Sequence, residues 1–352
     1  MPVAELHLSH VRLFEIWQAE LSTHTNIFIG DNGTGKTTVL ESLYALAYAK
    51  SFRSSQLHAL RQNRKTPYRI ESRLDIKEAS YVAKLHDSPS GLIRTLDNQP
   101  ASARQLAQLI PTVFIDTGTH RSLAQAPSYR RDFLNWCCFY AFHDYHELLQ
   151  RFQRALNQRN HYLKHYPRGD DIRTWDTPFI FYASRVHDYR CQMVDTLQVL
   201  MDAVWQTLAP PWPPVKLCYR PGWADGVELS DALQQTQASD FQYGFSHCGP
   251  QRADLKLTVA QAGSIFDFFS QGQQKLFTYA LKLAQLQLLD SLPSSPPGLL
   301  LIDDLPAELD TRSREAIISF ISETSWQSGI TGLSSHAFPH SSTIKYHTMP
   351  TP

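Results

Sequence analysis

The segment Gly30-Asp31-Asn32-Gly33-Thr34-Gly35-Lys36-Thr37 does most to limit what this chain can fold into. It matches G-x-x-x-x-G-K-[ST] and follows Ile27-Phe28-Ile29, an apolar run that suits a buried strand. Leu40, Leu43, Tyr44 and Ala47 then fall at helical spacing. Strand, glycine loop and helix in this order make a phosphate cradle. The glycines let several backbone N–H groups turn toward one anion, and the helix offers the positive end of its dipole. Lys36 adds a point charge for the β- and γ-phosphates, and the Thr37 hydroxyl can ligate Mg²⁺. Gly30, Asp31, Asn32, Gly33, Thr34, Gly35, Lys36, Thr37 and Thr38 are therefore the expected nucleotide contacts.

A phosphate loop needs a magnesium carboxylate, and Gly298-Leu-Leu-Leu-Ile-Asp-Asp304 supplies one. Leu299 to Ile302 form a short, wholly apolar run, as expected of a central parallel strand buried on both faces. Asp303 emerges at that strand's carboxyl end, where open α/β sheets place their ligands. It is expected to hold magnesium, and Asp304 to orient or deprotonate the attacking water. Ser270, Gly272 and Gln273 open a strong helical pattern and read as a second helix-terminal anion site. The chain's own triphosphate is already cradled, so this element suits a nucleotide held by another copy. An ordinary serine cap is the competing reading.

Bulk properties narrow the classes further. The chain has 33 Lys and Arg against 33 Asp and Glu, so a nucleic-acid partner must be met by local patches. Five scattered cysteines contain no C-x-x-C pair, which argues against a zinc ribbon and a disulfide framework. His161 and His165 are four apart but lack a third donor nearby at useful spacing. The apolar runs are far too short for a membrane span, and a cytoplasmic location is expected. Strand-like segments dominate around the phosphate loop, and helical periodicity runs from about Pro127 to Pro210. Mixed α/β patterning then returns. The expected fold is α/β: a P-loop head formed by residues 1–120 and 215–352, with a helical subdomain over 121–214 and no long coiled coil.

The order of phosphate loop, Ser270-x-Gly272-Gln273, apolar strand with two acids, and Glu308-Leu309-Asp310 resembles the ATP-binding-cassette family, in its SMC-like branch. "GDNGTGKTTVLESLYALAYAKSFR", "RRDFLNW", "LNQRN", "GPQRADL", "FSQGQQKLFTYALKLAQ" and "LLIDDLPAELD" are similar, in order, to segments of the RecF family. The likeness spans about residues 5–333. Phe269 stands where the signature usually has leucine, and "PAELD" replaces a serine form.

The resemblance implies ATP and Mg²⁺ as cofactors, weak DNA-stimulated ATP hydrolysis, and a homodimer that forms with ATP. It also implies binding to double-stranded and gapped DNA, with RecR and RecO as partners and no membrane association. Ser270, Gly272 and Gln273 then reach the partner's γ-phosphate, and Asp310 sits at the dimer interface. Arg53 takes the place of an arginine near nucleotide or DNA in SMC-like heads. Arg61, Arg64 and Lys65 form a small basic cluster suited to a phosphate backbone. Arg130, Arg131 and Arg252 are open between DNA contact and structural pairing. A transporter-type ATPase subunit is the alternative, as is another SMC-like ATPase. The former usually keeps its phosphate loop and signature closer together and uses Asp-Glu in place of Asp303-Asp304.

Overall fold

Alternating apolar residues at the N-terminus resolve into a hairpin. β1 (Glu5–Val11) and β2 (Phe14–Glu20) pair antiparallel about Arg12-Leu13, with Arg12 in the left-handed region at φ 55°. β3 (Thr25–Ile29) leads into the phosphate loop, and α1 (Lys36–Tyr48) follows. β4 (Arg69–Ile76), β5 (Ala79–Ser88), β6 (Gly91–Leu96) and β7 (Gln99–Pro100) extend the hairpin into a six-stranded antiparallel sheet, ordered β2-β1-β4-β5-β6-β7. α2 (Ala103–Leu109) opens with a capping box between Ser102 and Gln105 and leads to β8 (Thr112–Ile115). The computed structural model describes residues 3–54, 56–63, 66–89, 91–166, 171–208, 212–259, 262–293, 295–305, 309–339 and 341–350. Arg64, Lys65 and Glu308 lie outside the described residues.

The middle of the chain is helical, as its periodicity requires. α3 (Thr119–Gln125), α4 (Pro127–Ala141), α5 (Tyr145–His165) and α6 (Arg173–Leu208) come first. β9 (Val215–Arg220), α7 (Leu229–Tyr243), β10 (Asp254–Val259), β11 (Gly263–Ser264) and α8 (Ile265–Phe268) follow. α9 (Gln271–Asp290), β12 (Leu299–Ile302), α10 (Thr311–Ser322), β13 (Gln327–Gly332) and β14 (Ile344–Thr348) complete the chain.

The chain packs as two units. One comprises Met1–Thr119 and Lys275–Pro352, and the other His120–Gln274. The expected second boundary, at residues 214 and 215, moves to 274 and 275. The reason is pairing. β10 pairs antiparallel with β9 and β11, and Arg130 of α4 makes a bidentate pair with Asp254 at 2.7 and 2.9 Å. Residues 215–274 are thereby tied to the helices that precede them.

In the first unit α1 is buried between two sheets. One is the antiparallel sheet. The other is a five-stranded sheet in the order β14-β3-β13-β12-β8, with every pair parallel. Val39, Leu40, Leu43 and Leu46 of α1 share one core with Leu6, Leu8 and Leu85 on one side and Phe28, Leu299 and Leu301 on the other. All four residues of β12 are buried, as a central parallel strand demands. All-parallel pairing aligns the carboxyl ends of β3, β13, β12 and β8 along one edge.

His347 of β14 locks onto this sheet. Its ring stacks on Phe28, with centroids 4.9 Å apart, and its Nε2 lies 3.0 Å from Asn26 Oδ1. Burial, with Lys345 nearby, lowers its pKa to about 4. The folded state therefore prefers neutral imidazole. Between about pH 6.5, the ordinary histidine value, and about 4, the unfolded chain holds the extra proton. Stability from this group is complete above the upper limit and is lost as pH falls toward the lower one. His347→Phe keeps the stack and removes the titration. Thermal unfolding of the variant should decline less between those pH values, with the difference capped at about 3 kcal/mol.

Candidate nucleotide site

The phosphate loop is shaped by its own side chains. Gly35 ends it at φ 96°, and a Cβ there would collide with the Phe14 ring, so glycine is required. Thr34 is buried, and its Oγ1 donates to Asp31 O at 2.9 Å, closing the turn from inside. Lys36 Nζ donates to Gly30 O at 2.6 Å and to Asp31 O at 2.8 Å. Gly30, Asp31 and Thr34 thus act within the loop. Asn32, Gly33, Gly35, Lys36, Thr37 and Thr38 line a cavity of about 710 Å³.

Asp303 and Asp304 line the same cavity. β12 delivers them beside the loop because it pairs with β13, which pairs with β3. Thr37 Oγ1 donates to the Asp303 carboxylate at 3.0 and 3.1 Å, and Thr331 Oγ1 donates to it at 2.7 Å. Burial pushes the Asp303 carboxyl above its usual range; the two hydroxyls pull it down, and Asp304 and Asp116 add repulsion. It is a desolvated anion with hydroxyl donors and no cation, which fits a site for a divalent ion. Among the described residues no cluster of three or more His, Cys, Asp or Glu could hold a metal alone. That suits magnesium, which takes one or two protein oxygens and completes its shell with phosphate and water. Asp304 is in the left-handed region at φ 58°, with its N–H bonded to Thr331 Oγ1 at 2.7 Å. Such backbone strain in a non-glycine residue concentrates at functional sites.

Three arginines border the cavity: Arg12, Arg53 and Arg61. Glu41, fully buried in α1, holds two of them. Arg12 reaches it with Nε at 3.1 Å and Nη2 at 2.8 Å, and Arg53 Nη1 is 4.0 Å away. The Ser51 hydroxyl donates to the same carboxylate. Arg61 is tied to Asp87, and that hydrogen bond raises its pKa further. Arg53 and Arg61, expected at DNA or nucleotide, are thus both beside the phosphate loop. Arg12, Glu41 and Thr331 escaped the sequence reading. The one local signal was a charged residue at the hairpin between two alternating strands.

The remaining candidates take structural partners. Ser270 and Gln273 form a reciprocal cap at the start of α9: Ser270 N donates to Gln273 Oε1 at 2.9 Å, and Gln273 N to Ser270 Oγ at 3.4 Å. Gly272 lies in that first turn, with open space where a Cβ would be. Asp310 caps α10, accepting from Ser313 N at 3.0 Å and Ser313 Oγ at 2.8 Å, and these bonds lower its pKa. Arg130 is buried against Asp254, Arg131 donates to Ala253 O at 2.9 Å, and Arg252 lies over the Phe245 ring at 5.0 Å. For Arg130 the structural alternative holds. His161 and His165 stack on each other at 4.1 Å.

A phosphate loop after β3, acids after β12 and an all-parallel sheet define a P-loop ATPase head of the ABC type. The chain belongs to the RecF/RecN/SMC N-terminal domain family, whose pattern matches residues 2–349. It is 34% identical over 323 residues to the DNA replication and repair protein RecF of Coxiella burnetii (strain Dugway 5J108-111), covering 90% of this chain and 89% of that one. Identity with RecF of Pseudoalteromonas translucida (strain TAC 125) is 31% over 342 residues, covering 96% and 93%. The fold is that of the recombination mediator protein RecF-ATPrS in the RecFOR pathway, with TM-score 0.84, 21% identity and coverage of 99% and 96%. An Smc head bound to the C-winged helix domain of ScpA shares the fold more loosely, with TM-score 0.57, 13% identity and coverage of 95% and 90%. Among the described residues no helix is long and apolar enough to cross a membrane.

Glu41, fully buried, and Asp303, half-buried, should respond oppositely to neutralisation. Glu41 is matched by arginine, so Glu41→Gln should lower stability by roughly 2 kcal/mol. Asp303 has hydroxyl donors and two neighbouring carboxylates but no matching cation, so Asp303→Asn should raise the unfolding temperature of the metal-free protein and abolish the added stabilisation by magnesium and ATP. Thermal scans of both variants, with and without MgATP, check the pair.

Proposed function

We propose that this protein is an ATP-switched DNA-binding protein of the RecF type. ATP binding pairs two heads on DNA, and slow, DNA-stimulated hydrolysis releases them. The observation that carries this reading is the meeting of Lys36, Thr37, Asp303 and Asp304 in one cavity at the carboxyl edge of the parallel sheet. Lys36 is assigned to the β- and γ-phosphates, exchanging its two loop carbonyls for phosphate oxygens. Thr37 and Asp303 are assigned to magnesium. When bound, magnesium supplies positive charge to the phosphate oxygens. Asp304 is assigned to the attacking water as general base.

Ser270, Gly272 and Gln273 are assigned to the γ-phosphate of a second copy. The Ser270 cap bond is long, at 3.4 Å, so an anion at the helix terminus can displace it at little cost. Asp310 is assigned to the interface between heads through the end of α10 that it caps. The similar RecF structures belong to the RecFOR pathway. RecR and RecO are therefore the partners taken for this chain, and recombinational repair and replication restart at gapped DNA its process. A cytoplasmic location follows from the same reading.

Retention on duplex and gapped DNA, measured with and without ATP, tests the proposal. Wild type should bind duplex only with ATP, more weakly at higher salt, and with a doubling of mass. Lys36→Ala should lose all three. Identical duplex binding and mass with and without ATP would sink the clamp. Asp304→Asn should cut turnover by at least about a hundredfold while leaving ATP binding intact; undiminished turnover removes Asp304 from the base role.

A further inference from the structure

α5 is lopsided in charge. After Glu147 it carries Arg151, Arg154, Arg159 and Lys164 and no acid through His165. Arg159 is buried and bound to Asp176 and Asp240. Arg151, Arg154 and Lys164 are exposed, and among the described residues none of the three has an ion-pair partner. In a chain of balanced charge such a face is a local feature, not a share of a global field.

That face borders a groove of about 780 Å³ in the second unit. Arg154, Asn157, Gln158, Tyr162, Tyr166 and Trp175 are among its lining residues. Tyr162 and Tyr166 stack with centroids 5.1 Å apart and planes 20° from parallel, and Trp175 lies 6.1 Å from Tyr162. Core packing does not account for this aromatic row. The buried stripe of α5 is Leu148, Phe152, Leu156 and Leu163, whereas Tyr166 is 56% exposed.

Here Tyr166 is exposed and Tyr162 and Trp175 are half-buried; accessible stacked rings, side-chain amides and unmatched cations are the means by which proteins hold single-stranded nucleic acid. Bases stack on the rings, phosphates meet the cations, and amides bond base edges. A duplex cannot use the rings, because its base faces are already stacked. An acidic peptide would use the cations and leave the aromatic row without a purpose. We infer that this groove binds unpaired bases of a DNA strand, with Tyr162 and Tyr166 as the stacking platform and Arg154 on the backbone. The inference rests on the proposed function only for the class of polymer. It requires neither ATP nor a second copy.

The test uses the full chain without nucleotide and a fluorescent oligothymidylate. Wild type should bind it, and Tyr166→Ala should weaken binding about tenfold with an unchanged salt slope. Arg154→Ala should weaken it too, and lower the salt slope by about 0.7. Both variants should keep wild-type ATP-dependent retention on duplex. Oligothymidylate binding unmoved by Tyr166→Ala overturns the inference, as does a loss seen only with Arg154→Ala, which marks unspecific charge attraction. A polyglutamate peptide that displaces the oligonucleotide equally from wild type and Tyr166→Ala would mark an acidic-protein surface instead. If duplex retention shows no ATP dependence while the tyrosine effect stands, the clamp fails and the groove survives.

Discussion

The ligand edge of the head depends on one half-buried carboxylate held between two threonines. Thr37 approaches Asp303 from the start of α1, and Thr331 approaches from β13. These contacts join the ends of β3, β12 and β13 through side chains, beyond what the backbone ladder does. They exist only in one register. Ile302 pairs with Ile330 and Thr331 with Phe28. A slip of one residue would turn Asp303 and Thr331 to opposite faces. Leu299 to Ile302 are buried on both sides, so the polar contacts at the strand's end are what distinguish one register from the next. The same burial keeps Asp303 costly to ionise, so the fold gives up stability to keep an anion ready for a cation.

What was legible in the sequence follows from locality. The phosphate loop, β12 and α9 are each written in contiguous patterns: a glycine loop, an apolar run, a 3.6-residue period. Glu41 was not legible as a clasp, because its partners come from residues 12, 51 and 53 across a turn and a hairpin. Thr331 was hidden for the same reason, since its role exists only once β13 lies between β3 and β12. α7 leaves little trace in the sequence, because only Leu229, Ala232, Leu233 and Asp240 of its fifteen residues are buried, too few to print a stripe. Residues 215–274 read as mixed α/β and were given to the head. The strands are real, but they form a separate antiparallel sheet in the second unit.

The motifs that carried the family resemblance in the second unit are joints. Arg130 of "RRDFLNW" binds Asp254, close to Arg252 of "GPQRADL". Asn135 of the first motif accepts from Arg190 at 2.9 Å, and Arg190 also donates to Pro250 O of the second at 2.8 Å. Arg159 of "LNQRN" binds Asp176, Asp240 and Ser246. Each guanidinium is almost wholly buried, and each is met by several acceptors, which a buried cation requires. Removing one partner would strand a charge in the interior. The residues are therefore fixed as sets, and a set spread over 120 positions reads in sequence as separate short motifs.

The same logic separates matched from unmatched charge in the head. Among the described residues four cations border the nucleotide cavity: Arg12, Lys36, Arg53 and Arg61. Glu41 and Asp87 hold three of them, and Asp303 and Asp304 face the space itself. Among the described residues the four carboxylates thus balance the four cations. A bare triphosphate entering the cavity meets two carboxylates beside Lys36, and its repulsion with Asp303 is strong because that group is desolvated. A divalent cation reverses this interaction, since the same carboxylate then attracts the metal that the phosphates carry. On the proposed assignment, the charge balance around Asp303 therefore favours the metal-bound nucleotide over the bare one.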